Sequence, residues 1–423
     1  MLDKNFVNDN LDLIKKALKD RQIKLDLLGD FSVFFQQRKK LINQIDQLKY
    51  QQNQISKNIK NKPSEEQIQN GLSLKKQLKK LTPLFKESEE KLQKILEKIP
   101  NIPASDVPIG KDDSENIVIK TWGKKPDFDF KPLDHVQLGE KLDIIDIKRA
   151  SKVSGSRFGY FKNQAAVLEM SLMFYVFKKL TQKGFISMIP PAMIKASSEW
   201  KMGYTDTNNL NNAYYHLSSD DLVFISSSEH SVVPYHMDEI LEAKKLPLKY
   251  VNFSPCFRRE AGTYGKDTQG LFRVHFFNKV EMNIFTLPDT KISDAVCKEM
   301  LSIQEEIMQD LEIPYQVMNC CTGDLPQPNR KMYDINAWFP SQNKYKETHS
   351  CSNCTDYQAR RLNIKTKING QSQFVHILNA TAITDRALIA ILENNQQKDT
   401  SIKIPQVLIP FTNFQFISPN KNN

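Results

Sequence analysis

No run of 18 apolar residues occurs anywhere in the 423-residue chain, which leaves no candidate for a bilayer-spanning helix. The opening MLDKNFVNDNLDLIKKALKDRQ has no apolar h-region and carries four acidic residues, unlike a secretory or transit peptide. Cysteine is scarce. Six in so long a chain make no disulfide framework and suit a reducing compartment. No internal repeat is found. These absences lead to the expectation of a cytoplasmic protein without a membrane partner.

What is present describes a globular chain, with 40% hydrophobic and 26% charged residues, long enough for two or three domains. The net charge of +10 is unevenly spread. Residues 31–98 hold 15 Lys/Arg against 7 Asp/Glu, so this quarter of the chain carries +8. Such a concentration points to a polyanion, with nucleic acid the leading candidate; a solvated helix surface is the alternative on charge alone.

Between residues 31 and 60, Phe31/Phe34, Arg38/Leu41, Ile45/Leu48, Gln52/Ile55 and Ile59 repeat as heptads. After NKPSEEQ a second series runs through Leu74, Leu78, Leu81, Phe85, Leu92, Ile95 and Ile99. Steps of three and four place each series on one helix seam. Two such helices joined by a Pro-containing turn make an antiparallel hairpin over about residues 30–98, an arm about 45 Å long. Pro83 is expected to kink the second helix or to start a fresh segment. A plain dimerisation coiled coil is the other reading of this pattern. IPNIPASDVPIG, residues 99–110, reads as a linker, dividing the chain into 1–104 and 105–423. Beyond it, residues 162–183 have helical period, while GFISMIPPAMI, LKYVNFSPCFRRE, HFFNKVEMNIF and YQVMNCC read as short strands. Helices flanking non-adjacent strands predict an α+β domain on an antiparallel sheet.

The densest polar cluster lies in PCFRREAGTYGKDTQGLFRVHFFNKVEM, residues 255–282. On a strand, Arg258 and Glu260 face the same way. The arginine suits a phosphate and the carboxylate an exocyclic amine. On the returning strand Phe277 can stack on a base, and Glu281 shares its facing. A buried structural Arg–Glu pair is the alternative. HSCSNC raises a separate question, because Cys351 and Cys354, with Cys320 and Cys321, offer four thiols for a zinc or redox site.

FRREAGTYGKDTQGLFRVHFFNKVEM resembles motif 2 of class II aminoacyl-tRNA synthetases, in the form found in seryl-tRNA synthetases. The resemblance covers essentially the whole chain. MLDKNFVNDNLDLIKKAL is similar to the family's start, the basic hairpin to its tRNA-binding arm, and VSGSRF to the entrance of its catalytic domain. LVFISSSEH, CTGD, YDINAWFP, ETHSCSN and ALIAILENNQ follow in the family's order.

The resemblance implies a class II antiparallel catalytic domain with an N-terminal coiled-coil arm. It implies ATP, magnesium and L-serine as reactants and ion, and seryl-adenylate as intermediate. It implies serine tRNA as acceptor, with selenocysteine tRNA a further candidate, and a homodimer built on the segment 162–191. Position by position, Arg258 would hold the α-phosphate, Glu260 the adenine amine and Phe277 the adenine ring. Arg259, Val274, His275 and Phe276 would line the same site. Arg386 would meet the γ-phosphate, and Glu347, Thr348, His349 and Ser350 would make the ATP contacts, with Glu347 on magnesium. Ser227, Ser228 and Glu229 match the family's Thr-x-Glu triplet for serine, joined by Arg258, Glu281, Asn379 and Thr381. In this family Cys351 is an ordinary strand residue, so no zinc is expected.

Four departures accompany the match. Ser227 replaces threonine and Phe276 replaces glutamine. NATAITDR has six residues, where seven are usual, between its asparagine and Arg386, and it sets Asp385 beside that arginine. The 195–212 stretch lacks the family's Gly-Thr-Gly-x-Leu-Pro. A synthetase-like paralogue that binds RNA or activates another acyl substrate is the runner-up, and a purely structural coiled coil the third reading.

Overall fold

The computed structural model describes residues 1–59, 62–204, 214–260 and 270–419. Parts of the hairpin turn, of the 195–212 stretch and of the motif 2 loop therefore lie outside the described residues. The chain divides into two compact units, 1–100 and 101–423.

In the first unit two short helices, α1 (Lys4–Asp9) and α2 (Leu11–Asp20), precede the long pair α3 (Asp26–Lys57) and α4 (Glu65–Lys98). At 32 and 34 residues, each long helix spans about 50 Å. Ser64 caps α4 through a capping box with Gln67, satisfying two backbone donors at its start. The seam is buried at the base, by Phe31, Phe35, Leu41 and Ile45 against Leu74, Leu92, Ile95 and Leu96, and thins towards the tip, where Gln52 and Ile55 are half-buried. Phe35 takes the place expected for Phe34. Four residues after Phe31, it lies on the same face, and the two rings stack at 5.5 Å. Phe34 sits at the margin, with Lys91 over its ring at 5.4 Å. Arg38, expected in the seam, is paired with Glu89 and lies over Phe85. Helix α4 runs unbroken through Pro83, so no fresh segment starts there. Proline removes one backbone hydrogen bond, and both Thr82 and Pro83 are exposed, so water can serve the carbonyl that loses its donor.

The second unit is built on one eight-stranded sheet. Its strands, in chain order, are β1 (Ile117–Trp122), β2 (Ile186–Met188), β3 (Leu248–Phe257), β4 (Phe276–Thr286), β5 (Tyr315–Asn319), β6 (Lys331–Phe339), β7 (Lys344–Asn353) and β8 (His376–Thr384). Their spatial order is β1-β5-β6-β7-β8-β4-β3-β2. Every pairing is antiparallel except the parallel β2–β3 edge. The helices used below are α5 (Asn163–Gln182), α6 (Ala196–Met202), α7 (Glu229–Val232), α8 (Thr290–Asp310), α9 (Tyr357–Leu362) and α10 (Asp385–Asn394). Leu168, Leu172 and Val176 of α5, Met300 and Ile307 of α8, and Leu388 and Ile391 of α10 share one core with Val280, Met282 and Ala380 of the sheet. All nine residues of β8 are buried, which suits a central strand covered on both faces. Among the described residues no helix is long and apolar enough to cross a membrane.

Candidate active site

The β3–β4 hairpin sets the first part of the site. Its register places Phe277 opposite Cys256 and Glu281 opposite Asn252. Strand β3 ends at Phe257, and the Arg258 N–H donates to the His275 carbonyl at 2.9 Å. Arg258 and Glu260 therefore do not share a strand face as expected: Glu260 lies past the strand with φ of 49°, in the left-handed region. Both still line one cavity, together with Val274, Phe277, Glu347, Thr348, Ser350, Thr381 and Arg386. The Arg258 guanidinium lies 5.1 Å from the Phe277 ring centre, and its Nε donates to the Ser226 carbonyl. Glu260 is paired with Arg273, a cavity residue that the sequence reading did not single out.

Opposite Arg258, Arg386 enters from the first turn of α10. Its Nη1 donates to the Glu347 carbonyl and carboxylate, each at 3.1 Å, and its Nε donates to the Phe272 carbonyl at 3.2 Å. Partial desolvation in the cavity raises the Glu347 carboxyl, whose side chain is still half exposed; the Arg386 and Arg258 guanidiniums outweigh that and hold it below its ordinary range. The cavity thus carries two arginines converging on one carboxylate, an arrangement suited to a polyanion with a cation attached.

Asp385, the acid beside Arg386, also lines the cavity, but its carboxyl is turned to Asn278. Its Oδ2 accepts from the Asn278 N–H at 3.1 Å. Burial and the nearby Glu169 carboxylate push it well above its ordinary range, which favours the neutral form and spares Arg386 a competing charge.

Bordering the cavity lies a buried polar knot. Glu281 Oε2 accepts from the Ser227 hydroxyl at 2.7 Å, the Ser228 hydroxyl at 2.5 Å and the Glu229 N–H at 3.0 Å. Lys279 Nζ donates to Glu281 Oε1 and to Ser227 Oγ, both at 2.8 Å. Lys279 is 4% exposed and was not predicted, although strand alternation from Phe277 to Glu281 passes through it. Thr381 stands opposite Glu281 in the β4–β8 register, and Asn379 opposite Asn283. The Asn379 side-chain N–H2 is buried without a hydrogen-bond partner among the described residues.

Several of the other expected residues serve the frame. His275 Nδ1 contacts the Arg258 carbonyl at 2.8 Å. Phe276 is exposed and lines a neighbouring cavity with Glu169 and Asp385. His349 is buried beside Thr348 Oγ1 at 2.8 Å, and burial lowers it to about 4, so it is neutral at pH 7. Arg259 does not line the cavity between Arg258 and Arg386. The four thiols of the CxxC question diverge. Cys351 meets Cys297 at 3.7 Å, Cys354 meets Asn329 at 3.4 Å and Cys321 meets the Asp112 carbonyl at 3.2 Å. Cys320 instead lies close to Asp324 and Asp334.

Two family models match the chain: "Seryl-tRNA synthetase N-terminal domain" over residues 1–103 and "tRNA synthetase class II core domain (G, H, P, S and T)" over residues 215–395. A serine–tRNA ligase from Treponema denticola is 40% identical, over 99% of this chain and 100% of its own. The chain belongs to the seryl-tRNA synthetase family. A second serine–tRNA ligase of that family, from Borrelia garinii, is 42% identical over the whole of both chains. The crystal structure of seryl-tRNA synthetase from Pyrococcus horikoshii complexed with ATP superposes with a TM-score of 0.93 at 37% identity, covering 100% of each chain. The expected α+β class II fold, with its antiparallel core and helical arm, is the fold observed.

Within a seryl-tRNA synthetase frame, the Lys279–Glu281 pair also supports stability. Burial raises Glu281; the Lys279 charge and its hydrogen bond, with the two serine hydroxyls, outweigh this and lower it. Its contribution is present above the ordinary glutamate value of 4.5 and is lost as pH falls below that. Lys279→Met leaves a buried carboxylate without its countercharge and is expected to cost about 3–5 kcal/mol. Denaturant unfolding at pH 7 measures this, and an unchanged midpoint would remove the assigned role.

Proposed function

We propose that the chain is an ATP-dependent serine–tRNA ligase, activating L-serine to seryl-adenylate and passing the seryl group to serine tRNA. A serine carboxylate oxygen forms the new bond to the α-phosphorus. The bond from that phosphorus to the bridging oxygen breaks, and diphosphate leaves with the electron pair. A hydroxyl at the 3′ end of the tRNA then attacks the seryl carbonyl and AMP leaves. No protein nucleophile is needed, so catalysis consists of positioning and of stabilising charge on phosphate.

The observation that carries this reading is the single cavity in which Arg258, Arg386 and Glu347 meet beside Phe277, with Lys279 of the buried Glu281 knot in its wall. In this assignment Arg258 holds the α-phosphate and the serine carboxylate, and Arg386 the γ-phosphate. Phe277 and Glu260 hold the adenine, with Val274 and Thr348 in the walls. His275, Phe276 and His349 support that surface from behind or beside it, and Arg259 is a further candidate contact for ATP. Glu281 and Thr381 meet the serine hydroxyl, Asn379 offers its free N–H2, and Ser227, Ser228 and Glu229 surround the amine. A site that pairs the hydroxyl rejects alanine, because that analogue leaves buried groups unsatisfied. Glu347 and Ser350, a carboxylate and a hydroxyl opening on the same cavity, are a donor set for magnesium. When bound with ATP, the ion neutralises phosphate charge.

The first unit is the proposed tRNA-binding domain, supported by the +8 charge of residues 31–98; selenocysteine tRNA is a second acceptor to assay. A homodimer is supported by the apolar groove along α5, where Met170 and Ile189 are each 71% exposed beside Phe174 and Phe253.

Serine-dependent ATP–diphosphate exchange is the deciding experiment, with threonine, alanine and glycine as competitors. Exchange with serine at least about 100-fold above alanine is expected. Folded protein that exchanges with another amino acid, or with none, would return the runner-up paralogue to first place.

A further inference from the structure

The stretch that departs most from the family pattern, 195–212, supplies two residues to the polar network around Glu229 within its described part. Glu199, on α6, is 1% exposed, and its Oε2 lies 2.8 Å from Nδ1 of His230 on α7. The His230 ring stacks on Tyr204 at 5.3 Å and 14°, and Tyr214 closes on it edge-on. Tyr204 in turn points its hydroxyl at Glu229, 2.9 Å from each carboxylate oxygen. Gln358 of α9 donates to Glu229 Oε1 at 2.7 Å. A buried ion pair therefore anchors a ring, and that ring carries the hydroxyl that orients a carboxylate.

We infer that Tyr204 is a positioning residue for Glu229 and thereby sets affinity for the α-ammonium group of the amino-acid substrate. The inference rests on the reading of Glu229 as the partner of the serine amine. Glu229 needs such a device. It is 3% exposed, and a buried carboxylate stays ionised only where donors and cations compensate it. Burial raises it most; His230, Gln358 and Tyr204 offset this and the Glu281 charge only in part, so the carboxyl stands above its ordinary value until a further cation reaches it. The single Tyr204 O–H shared by both oxygens and the one Gln358 N–H leave acceptor capacity for an ammonium, because a carboxylate has about four acceptor sites.

Charge balance points the same way. Glu199, Glu229 and Glu281 stand against Lys279 and His230. Burial alone lowers His230, but Glu199 and then Glu229 more than reverse this, so its cationic form is favoured. Carboxyl groups outnumber basic groups in this cluster, so an incoming substrate ammonium supplies the countercharge that favours ionised Glu229.

The experiment compares wild type, Tyr204→Phe, Tyr204→Leu and Glu229→Gln in serine-dependent exchange, each with its melting temperature and its KM for ATP. Phenylalanine keeps the stack on His230 and removes only the hydroxyl; leucine removes both. A hydrogen bond to a charged group corresponds to about a 10- to 100-fold effect. The serine KM is therefore expected to rise about 10- to 100-fold in both Tyr204 variants, with the ATP KM unchanged and the Phe variant still folded at the assay temperature, its melting temperature lowered less than that of the Leu variant. A wild-type serine KM in Tyr204→Phe, beside a raised KM in Glu229→Gln, overturns the inference and leaves the pocket reading standing. A wild-type serine KM in Glu229→Gln overturns the pocket reading itself. Rescue by phenylalanine but not leucine would assign Tyr204 to packing alone.

Discussion

Arg258→Ala abolishes serine-dependent exchange while the protein stays folded; this is the largest effect expected of any single substitution in the cavity. The backbone bond that ties β3 to β4 at this point, Arg258 N–H to the His275 carbonyl, survives the change. What disappears is the guanidinium over Phe277 and its Nε contact with the Ser226 carbonyl, a loss of about 1 kcal/mol in stability. The loss in rate is of another size. The substrate carboxylate and the α-phosphate must approach one another, two groups of like charge, and charge builds on the phosphate oxygens in the transition state. Removing one preorganised donor from such a site costs about 100- to 1,000-fold, and losing the full cation costs more than a neutral donor would. Exchange is expected to fall at least about 1,000-fold. Near-normal exchange in the folded variant would refute the assignment of Arg258.

The second large effect separates the two reactions. Trimming the arm by removing residues 46–78, closed with a short glycine–serine turn, is expected to leave exchange within about twofold of wild type and to reduce tRNA charging at least about 100-fold. The buried base of the hairpin, Phe31, Phe35, Leu92, Ile95 and Leu96, lies outside the deletion, so the first unit keeps the contacts that hold it together. Every residue assigned to adenylate formation belongs to the second unit, 101–423. If phosphate contacts from lysines and arginines dominate RNA binding, full-length affinity should fall steeply and linearly on a log–log salt plot, and the trimmed protein should show a shallower slope. Charging that survives the deletion would place the main RNA contact elsewhere.

Parts of this molecule were legible before any fold was known. The long helices of the arm follow from apolar spacing, and its basic character from counting charges. The β3–β4 hairpin follows from two alternating runs around a glycine-bearing loop, and alternation places Phe277 and Glu281 on one face. Where the reading slipped, the cause is local. Phe34 and Phe35 are adjacent candidates for one seam position, and only packing selects between them. Glu260 leaves strand geometry because the chain has already begun its loop. Asp385 is adjacent to Arg386 in the chain, but the setting of its carboxyl depends on Asn278 and Glu169, more than 100 positions away.

The sequence by itself determined the elements, the division into a basic helical arm and a sheet domain, the family, and the residues proposed to meet phosphate, adenine and serine. These are carried by periodicity, composition and ordered motifs, which are local properties of the chain. Tertiary structure alone decided that Lys279 neutralises Glu281, that Arg386 rests on Glu347 and that Tyr204, from the least family-like stretch, holds Glu229. Each of these joins charged or polar groups from separate elements in a space with little water. The strength of such a contact depends on burial and on distances of a few ångströms, quantities that come into being only when the strands and helices have packed.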